Sequence, residues 1–342
     1  MEFNIEKLNG KRQPLAERLP LKIPFSISVT TANVCNLRCE FCAISEKEHK
    51  RNKSFLDWET FKLAMDSLIS CKWHLKQIVL VGLGEPLLNK EIVNFVKYIK
   101  ENNIADKVHI VTNGVLLKKE LTDNLLDAGL DILRVSLNGL SSDDYKKYTE
   151  VPIDFDNLVE NLAYFYKKSR EYKNVKSYIK IMDYQIADET KKEKFYKVFD
   201  PICDSINIEY LTEMSTTLDY STVDNQLNKD KGLKGFETVQ TEICPLPFYH
   251  IYLNAEGTIS ACCVAGPWYT PPALEMGDLH KQSIDEIWNG DGFKQLFINM
   301  LEKGKNGASD ICKKCKAYRS YIYPEDKIDE QKDRILQAIK ER

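Results

Sequence analysis

Ser26-Ile27-Ser28-Val29-Thr30-Thr31-Ala32-Asn33-Val34-Cys35-Asn36-Leu37-Arg38-Cys39-Glu40-Phe41-Cys42 is the stretch from which the rest of the chain is read. Its first five residues alternate and include β-branched side chains, the pattern of a strand. The strand runs straight into a loop with three thiols at C-x3-C-x2-C spacing. Three thiolates that close can converge on one metal centre. Four would complete a tetrahedral zinc site or satisfy every iron of a four-iron cluster, but the next cysteine is the distant Cys71. A cluster held by three thiolates leaves one iron open for a small ligand. Zinc, or a chance grouping of cysteines, is the simpler reading of the loop taken alone.

The strand-then-helix pattern repeats downstream. Gln77-Ile78-Val79-Leu80-Val81, Val108-His109-Ile110-Val111, Ile132-Leu133-Arg134-Val135-Ser136, Tyr178-Ile179-Lys180-Ile181 and Ile206-Asn207-Ile208-Glu209 have strand length and composition. Between them run helical stripes: Phe61, Ala64, Met65 and Leu68 behind the cap Asp57; Ile92, Phe95, Val96 and Ile99; Leu121, Leu125 and Leu126; Leu158, Leu162 and Phe165; Phe195, Val198 and Phe199. Apolar strands alternating with helices argue an α/β fold with a parallel sheet. Six units suit a partial (β/α)6 TIM-like barrel, and a doubly wound open sheet is the alternative. Either fold binds ligands at the carboxyl ends of its strands, where the cysteine loop sits.

The chain has 342 residues, enough for about two domains, and 43% apolar residues, enough for a sizeable core. Its net charge of −3 with intermixed signs, and no long basic stretch, argues against nucleic acid as a partner. No apolar run approaches the ~18 residues of a membrane span. The start Met1-Glu2-Phe3-Asn4-Ile5 has no apolar signal core, so a cytoplasmic protein is expected. Ten cysteines in such a compartment point to metal or catalysis instead of disulfides. Most fall into groups: Cys35, Cys39 and Cys42 early, then Cys244, Cys262, Cys263, Cys312 and Cys315. The isolated Cys71 and Cys203 read as inert buried residues. Residues 46–53 form a charged stretch.

Polar motifs close the strands. Gly82-Leu83-Gly84-Glu85-Pro86 follows the second, Thr112-Asn113-Gly114 the third and Ser136-Leu137-Asn138-Gly139 the fourth. Each is by itself an ordinary turn. The cysteine loop, with an aromatic before its third thiol, together with the G-x-G-E-P stretch resembles the radical S-adenosylmethionine (SAM) enzymes. The resemblance implies a [4Fe-4S] cluster held by Cys35, Cys39, Cys42 and SAM, and reductive cleavage of SAM to a 5′-deoxyadenosyl radical. It implies that Gly84, Glu85 and Pro86 hold the SAM amino group, that Asn113 and Ser136 contact its ribose and carboxylate, and that Phe41 lies by the adenine. Leu83 departs from the family's usual glycine. An electron donor such as flavodoxin or ferredoxin is the expected partner. Arg134 shares a strand face with Ser136. SAM, a substrate group or a structural ion pair would each answer its charge. Glu209, Tyr210 and Arg134 are the candidates to act on substrate, with Tyr178 and Lys180 beside them.

Past residue 240 the chain turns to short strands, glycines and prolines. A hairpin is expected from Tyr249-His250-Ile251-Tyr252-Leu253 and Thr258-Ile259-Ser260-Ala261, with a helix through Ile284, Ile287 and Trp288 beyond it. Cys244, Cys262, Cys312 and Cys315 can bind zinc or an iron–sulfur cluster. Their arrangement resembles the SPASM/twitch extension of radical SAM enzymes. Full SPASM domains carry further cysteines, so one auxiliary [4Fe-4S] cluster is expected. The shortened form is similar to the twitch domain of 2-deoxy-scyllo-inosamine dehydrogenases. Cys262 satisfies the family's G-x4-C spacing, and its neighbour Cys263 points the other way in a strand.

The expected domains are an arm over residues 1–24, a radical SAM core over 25–215, a connecting segment over 216–240, a cluster domain over 241–322 and a terminal helix over 323–342. The expected function is oxidation or epimerisation of a small polar molecule: a sugar, aminocyclitol or nucleotide sugar. A peptide-modifying radical SAM enzyme is the alternative, and a zinc-stabilised binding module the alternative from another class.

Overall fold

A computed structural model describes residues 12–42, 54–213, 227–228, 230–262 and 274–342. The charged stretch 46–53, Cys263 and part of the 216–240 segment lie outside the described residues.

Six strands form where the apolar runs place them: β1 (Ser26–Thr30), β2 (Leu75–Val81), β3 (Ala105–Thr112), β4 (Ile132–Leu137), β5 (Lys176–Met182) and β6 (Ser205–Glu209). Each pairs in parallel with the next. The crossovers carry α1 (Trp58–Ser70), α2 (Ile92–Glu101), α3 (Lys119–Asp127), α4 (Ser142–Thr149), α5 (Phe155–Ser169) and α6 (Glu189–Phe199). This is the partial TIM-like barrel. The helix α4 was not expected. Its sequence SDDYKKYT buries only Tyr145, Tyr148 and Thr149, too few apolar positions for a visible stripe. Capping by Ser141, which accepts from the Asp144 amide, starts it.

The two faces of the sheet differ sharply. Ile27, Val29, Ile78, Leu80, Val108, Ile110, Leu133, Val135, Ile179 and Ile181 share the main core with the helices. Between α1 and α2 the rings of Phe61 and Phe95 stack at 4.1 Å. The residues that alternate with these face the other way. They include Ser28, Thr30, His109, Arg134, Ser136, Tyr178, Lys180, Asn207 and Glu209, with Val79, Val111 and Ile132 among them, so the barrel interior is largely polar. TIM barrels normally fill that space with layers of branched apolar side chains. A lining of hydroxyl, amide and charged groups needs polar partners, from protein, water or ligand.

The second cysteine group is built onto the same sheet. β7 (His250–Leu253) pairs in parallel with β1, then antiparallel with β8 (Thr258–Ser260), which pairs with β9 (Glu275–Asp278). The sheet thus runs unbroken through nine strands, β6-β5-β4-β3-β2-β1-β7-β8-β9. The helix α7 (Ile284–Trp288) docks on α1. The Ile284 amide donates to Ser67 Oγ at 2.8 Å and Trp73 Nε1 to Asp285 Oδ1 at 3.2 Å. Next come α8 (Asp291–Lys303) and α9 (Asp310–Lys314).

Both ends of the chain differ from expectation. The terminal helix α10 spans only Lys332–Lys340, after two 3-10 turns at Pro324–Asp326 and Asp329–Gln331. Asp329 instead accepts from the Glu242 amide at 2.8 Å. The described part of the arm forms a 3-10 turn at Leu15–Arg18. Its Leu15 and Leu19 share a second core with Ile243, Phe248, Ile328, Ile335 and Ile339. Arg334 ties the pieces together by donating to the carbonyls of Leu19 and Ala16.

Ile335 is fully buried in this second core. Ile335→Ala should therefore cost about 2–5 kcal/mol, read as a lowered urea midpoint. An unchanged midpoint would mean that the terminal helix does not stay docked.

Candidate active site and auxiliary cluster site

The cysteine loop is held by backbone. Beyond β2 the Gly84 amide donates to the Ala32 carbonyl at 2.9 Å and the Glu85 amide to the Val34 carbonyl at 2.8 Å. A Cβ on Gly84 would lie 1.8 Å from the Val34 oxygen. Only glycine allows this approach, and the surface approached is the cysteine loop itself. Leu83, where the family's glycine is missing, is buried. Leu37 plugs the loop into the main core. On the other side the Arg38 amide donates to Thr149 O at 3.0 Å and the Glu40 amide to Tyr148 O at 3.1 Å. The unexpected helix α4 is thus the loop's second support.

Asparagines flank the thiols. Asn138 Oδ1 lies 3.3 Å from Cys39 Sγ. Asn113 Nδ2 lies 3.9 Å from Cys35 Sγ and donates to Asn36 Oδ1 at 2.8 Å. Asn36 and Asn138 were missed in the sequence, where an isolated Asn in a turn reads as turn chemistry. Burial pushes up the Cys35 thiol; burial and then the neighbouring Cys42 and Cys35 push up Cys39 much further. Thiols crowded and desolvated in this way suit a cationic centre that binds thiolates.

Glu85 is buried and ties three strand ends together. Its Oε1 accepts from Thr112 Oγ1 at 2.5 Å and the Leu87 amide at 3.0 Å, and its Oε2 from the Asn113 amide at 2.8 Å. Burial raises its pKa, with these bonds opposing. A carboxylate offers about four acceptor sites, and the described residues fill three of those on Glu85. Pro86 opens a 3-10 turn behind Glu85. Phe41 meets Tyr184 edge-on, ring centroids 6.3 Å apart.

Deeper in the barrel, Ser136 and Arg134 lie on the inward face of β4. Among the described residues neither side chain has a hydrogen bond or an ion pair, and the Arg134 guanidinium stands 5.8 Å above the Tyr178 ring. Glu209 is buried and paired. It accepts from Lys180 Nζ at 2.5 Å, Tyr178 Oη at 3.2 Å and Lys234 Nζ. Burial, then repulsion from Arg134, pulls the Lys180 ammonium down to about 7, while the paired Glu209 acts in the opposite direction. Lys234 was missed because its segment has no periodicity. It is placed where the Tyr210 amide donates to Leu233 O at 2.9 Å and the Leu233 amide to Ser320 O at 3.0 Å. Tyr210 does not join the other candidates. It follows the inward Glu209 and so points outward, its hydroxyl 3.3 Å from Lys231 Nζ.

The four later cysteines also come together. Cys244, Cys262, Cys312 and Cys315 line one small cavity of about 30 Å³ whose other walls include Leu246, Met300, Ile311 and Tyr318. Lys305 is the cation at its wall and donates to Cys315 O at 3.1 Å. Burial and then Cys262 push the Cys244 thiol far up. Among the described residues no three His, Cys, Asp or Glu side chains are disposed to hold a single metal ion. Four thiols gathered on one pocket can bind zinc or an iron–sulfur cluster.

Residues 29–190 match the radical SAM superfamily and residues 244–316 the SPASM iron–sulfur cluster-binding domain. The chain belongs to the radical SAM superfamily and carries a SPASM domain. It is a radical SAM enzyme whose cofactors are SAM, a [4Fe-4S] cluster and auxiliary iron–sulfur. A probable GTP 3′,8-cyclase of Methanocaldococcus jannaschii is 35% identical over 125 residues, 36% of this chain and 40% of that protein. One of Saccharolobus solfataricus is 33% identical over 136 residues, 40% of this chain and 42% of its own. The chain thus matches about two fifths of the length of these curated relatives. Among solved structures, BtrN in complex with AdoMet and 2-DOIA is 21% identical with a TM-score of 0.53, covering 86% of this chain and 93% of BtrN. Streptococcus suis SuiB bound to S-adenosylmethionine is 15% identical with a TM-score of 0.60, covering 91% and 79%. These likenesses show the fold. No helix among the described residues is long and apolar enough to cross a membrane.

Gly84→Ala should displace the first cysteine loop and lower the iron bound there while the second site stays loaded. Gly292→Ala, whose Cβ would meet nothing nearer than 3.6 Å, is the control that keeps both. Iron analysis with low-temperature EPR reads the difference, and full loading of Gly84→Ala would contradict it.

Proposed function

We propose that this chain is a radical SAM oxidoreductase that removes a hydrogen atom from a small polar substrate, a sugar, aminocyclitol or nucleotide sugar, in a dehydrogenation or epimerisation. The polar barrel interior directly below the cysteine loop carries this reading. It offers hydrogen-bonding groups on five strands, which a hydroxylated molecule can satisfy.

When bound, SAM with its cluster supplies the hydrogen-abstracting radical, and an auxiliary cluster supplies a place for the remaining electron. The residues divide the other tasks. Cys35, Cys39 and Cys42 hold the first cluster, and the open acceptor site of Glu85 takes the SAM ammonium. Ser136 offers its unengaged hydroxyl to SAM, and Phe41 borders the adenine. Cys244, Cys262, Cys312 and Cys315 saturate one auxiliary [4Fe-4S] cluster, which leaves no iron open for substrate and favours an electron-transfer role. Glu209, fixed by two lysines, organises the interior instead of serving as a mobile base.

Anaerobic incubation with SAM, a reductant and a pool of sugars, aminocyclitols and nucleotide sugars tests the reading. The expected product has lost two mass units, or keeps its mass and gains deuterium from solvent. Cys35→Ala should abolish 5′-deoxyadenosine formation, while Cys312→Ala should lower substrate conversion more than SAM cleavage. Equal loss of SAM cleavage in both folded variants, with the first cluster retained in Cys312→Ala, would contradict separate roles.

A further inference from the structure

The pocket of the four later cysteines has an apolar wall with one charge in it. Leu246, Pro247, Leu274, Leu296, Met300 and Ile311 line it beside the thiols, and Lys305 is the charged side chain among the described lining residues. Lys305 is half-buried and has no ion pair among the described residues. Its ammonium donates to the Cys315 carbonyl at 3.1 Å and stands 5.1 Å from the centre of the Tyr318 ring. The backbone holds it there. Gly304, just before it, has a φ of 61°, and a Cβ on Gly304 would lie 2.8 Å from the Glu242 oxygen. The Lys305 amide donates to that carbonyl at 3.0 Å, and the Tyr318 hydroxyl donates to the Thr241 carbonyl at 3.1 Å. Lysine and ring are thus both tied to the segment that leads into Cys244. The lysines around Cys312 and Cys315 are placed differently. Lys313 pairs with Asp310 and Lys316 with Glu213, and these two and Lys314 are exposed.

We propose that Lys305 raises the potential of the auxiliary cluster and so poises it to accept an electron. The inference rests on the proposed function, in which Cys244, Cys262, Cys312 and Cys315 hold one [4Fe-4S] cluster. Four thiolates outweigh the positive charge of the iron–sulfur core, so the centre is anionic, and each added electron makes it more so. A fixed ammonium therefore stabilises the reduced form more than the oxidised one. Its effect is strong here because an apolar wall screens charge poorly. A raised potential serves dehydrogenation. Once the hydrogen atom has gone into 5′-deoxyadenosine, the substrate radical gives one electron to the oxidised cluster and one proton to solvent. A one-electron carrier protein then reoxidises the cluster. Epimerisation leaves no electron to remove, so the placement of Lys305 favours dehydrogenation of the two reactions proposed above.

The test is a potentiometric titration of the full, anaerobically reconstituted chain followed by low-temperature EPR. The signal that persists in Cys35→Ala marks the auxiliary cluster. Lys305→Gln drops the charge but keeps a donor for the Cys315 carbonyl, and Lys305→Met drops both. Each should disfavour reduction about tenfold, a fall in midpoint of about 59 mV for a one-electron couple. Lys305→Arg, which keeps the charge, and Lys303→Gln, at an exposed position, should stay at the wild-type midpoint. An unmoved midpoint in both neutral variants, a fall in Lys305→Met alone, or the same fall in Lys303→Gln would overturn the inference. Loss of the cluster from both neutral variants in folded protein would make Lys305 a determinant of cluster binding and would overturn it too. Zinc at the later cysteines of wild type, or no 5′-deoxyadenosine from it, would strike the proposed function. A loaded cluster whose potential ignores Lys305 strikes this inference alone.

Discussion

The contact between the exit of β2 and the cysteine loop is the constraint on which the site depends. Two backbone hydrogen bonds and one glycine bring the chain at Gly84 against Val34, closer than any side chain would allow. Glu85 then carries the connection on to β3 through Thr112 and Asn113. One short motif therefore fixes the thiol loop, orients a buried acceptor beside it and joins three strand ends. The glycine and the glutamate divide this work. Gly84 serves the loop's position, and Glu85 ties the loop to β3; in the proposed function its remaining acceptor site meets the ammonium of SAM.

Below that clasp the barrel gives up the usual apolar filling. Glu209, Lys180, Lys234 and Tyr178 form a buried network that is costly unless its members are paired. Among the described residues, Arg134 has no ion pair and His109 no hydrogen-bond partner. Extension of the sheet from β1 into β7–β9 adds a second consequence. The four later thiols are attached to the same rigid sheet as the first three, through β7 and the docking of α7 on α1. In the proposed function a radical site and an electron carrier benefit from a fixed separation, and a shared sheet supplies one.

The strands, most helices and both cysteine groups were legible because each is written locally, in alternation, in a 3.6-residue stripe or in thiol spacing. Long-range pairing is not written in this way. The hairpin at His250–Leu253 and Thr258–Ser260 was expected, but nothing local says that β7 completes a pair with β1. The helix α4 is too polar to show a stripe, and Lys234 sits in an aperiodic segment whose position depends on contacts with Tyr210 and Ser320. The outward turn of Tyr210 is different. Alternation after the inward Glu209 already implied it, and proximity in sequence concealed it.

Diffraction at the iron absorption edge from anaerobically grown crystals of the reconstituted chain tests the central claim most directly. The account predicts two separate iron centres, one bounded by Cys35, Cys39 and Cys42 with an open iron, the other enclosed by Cys244, Cys262, Cys312 and Cys315. Zinc in place of iron at the later cysteines, or no iron at the first loop, would contradict it.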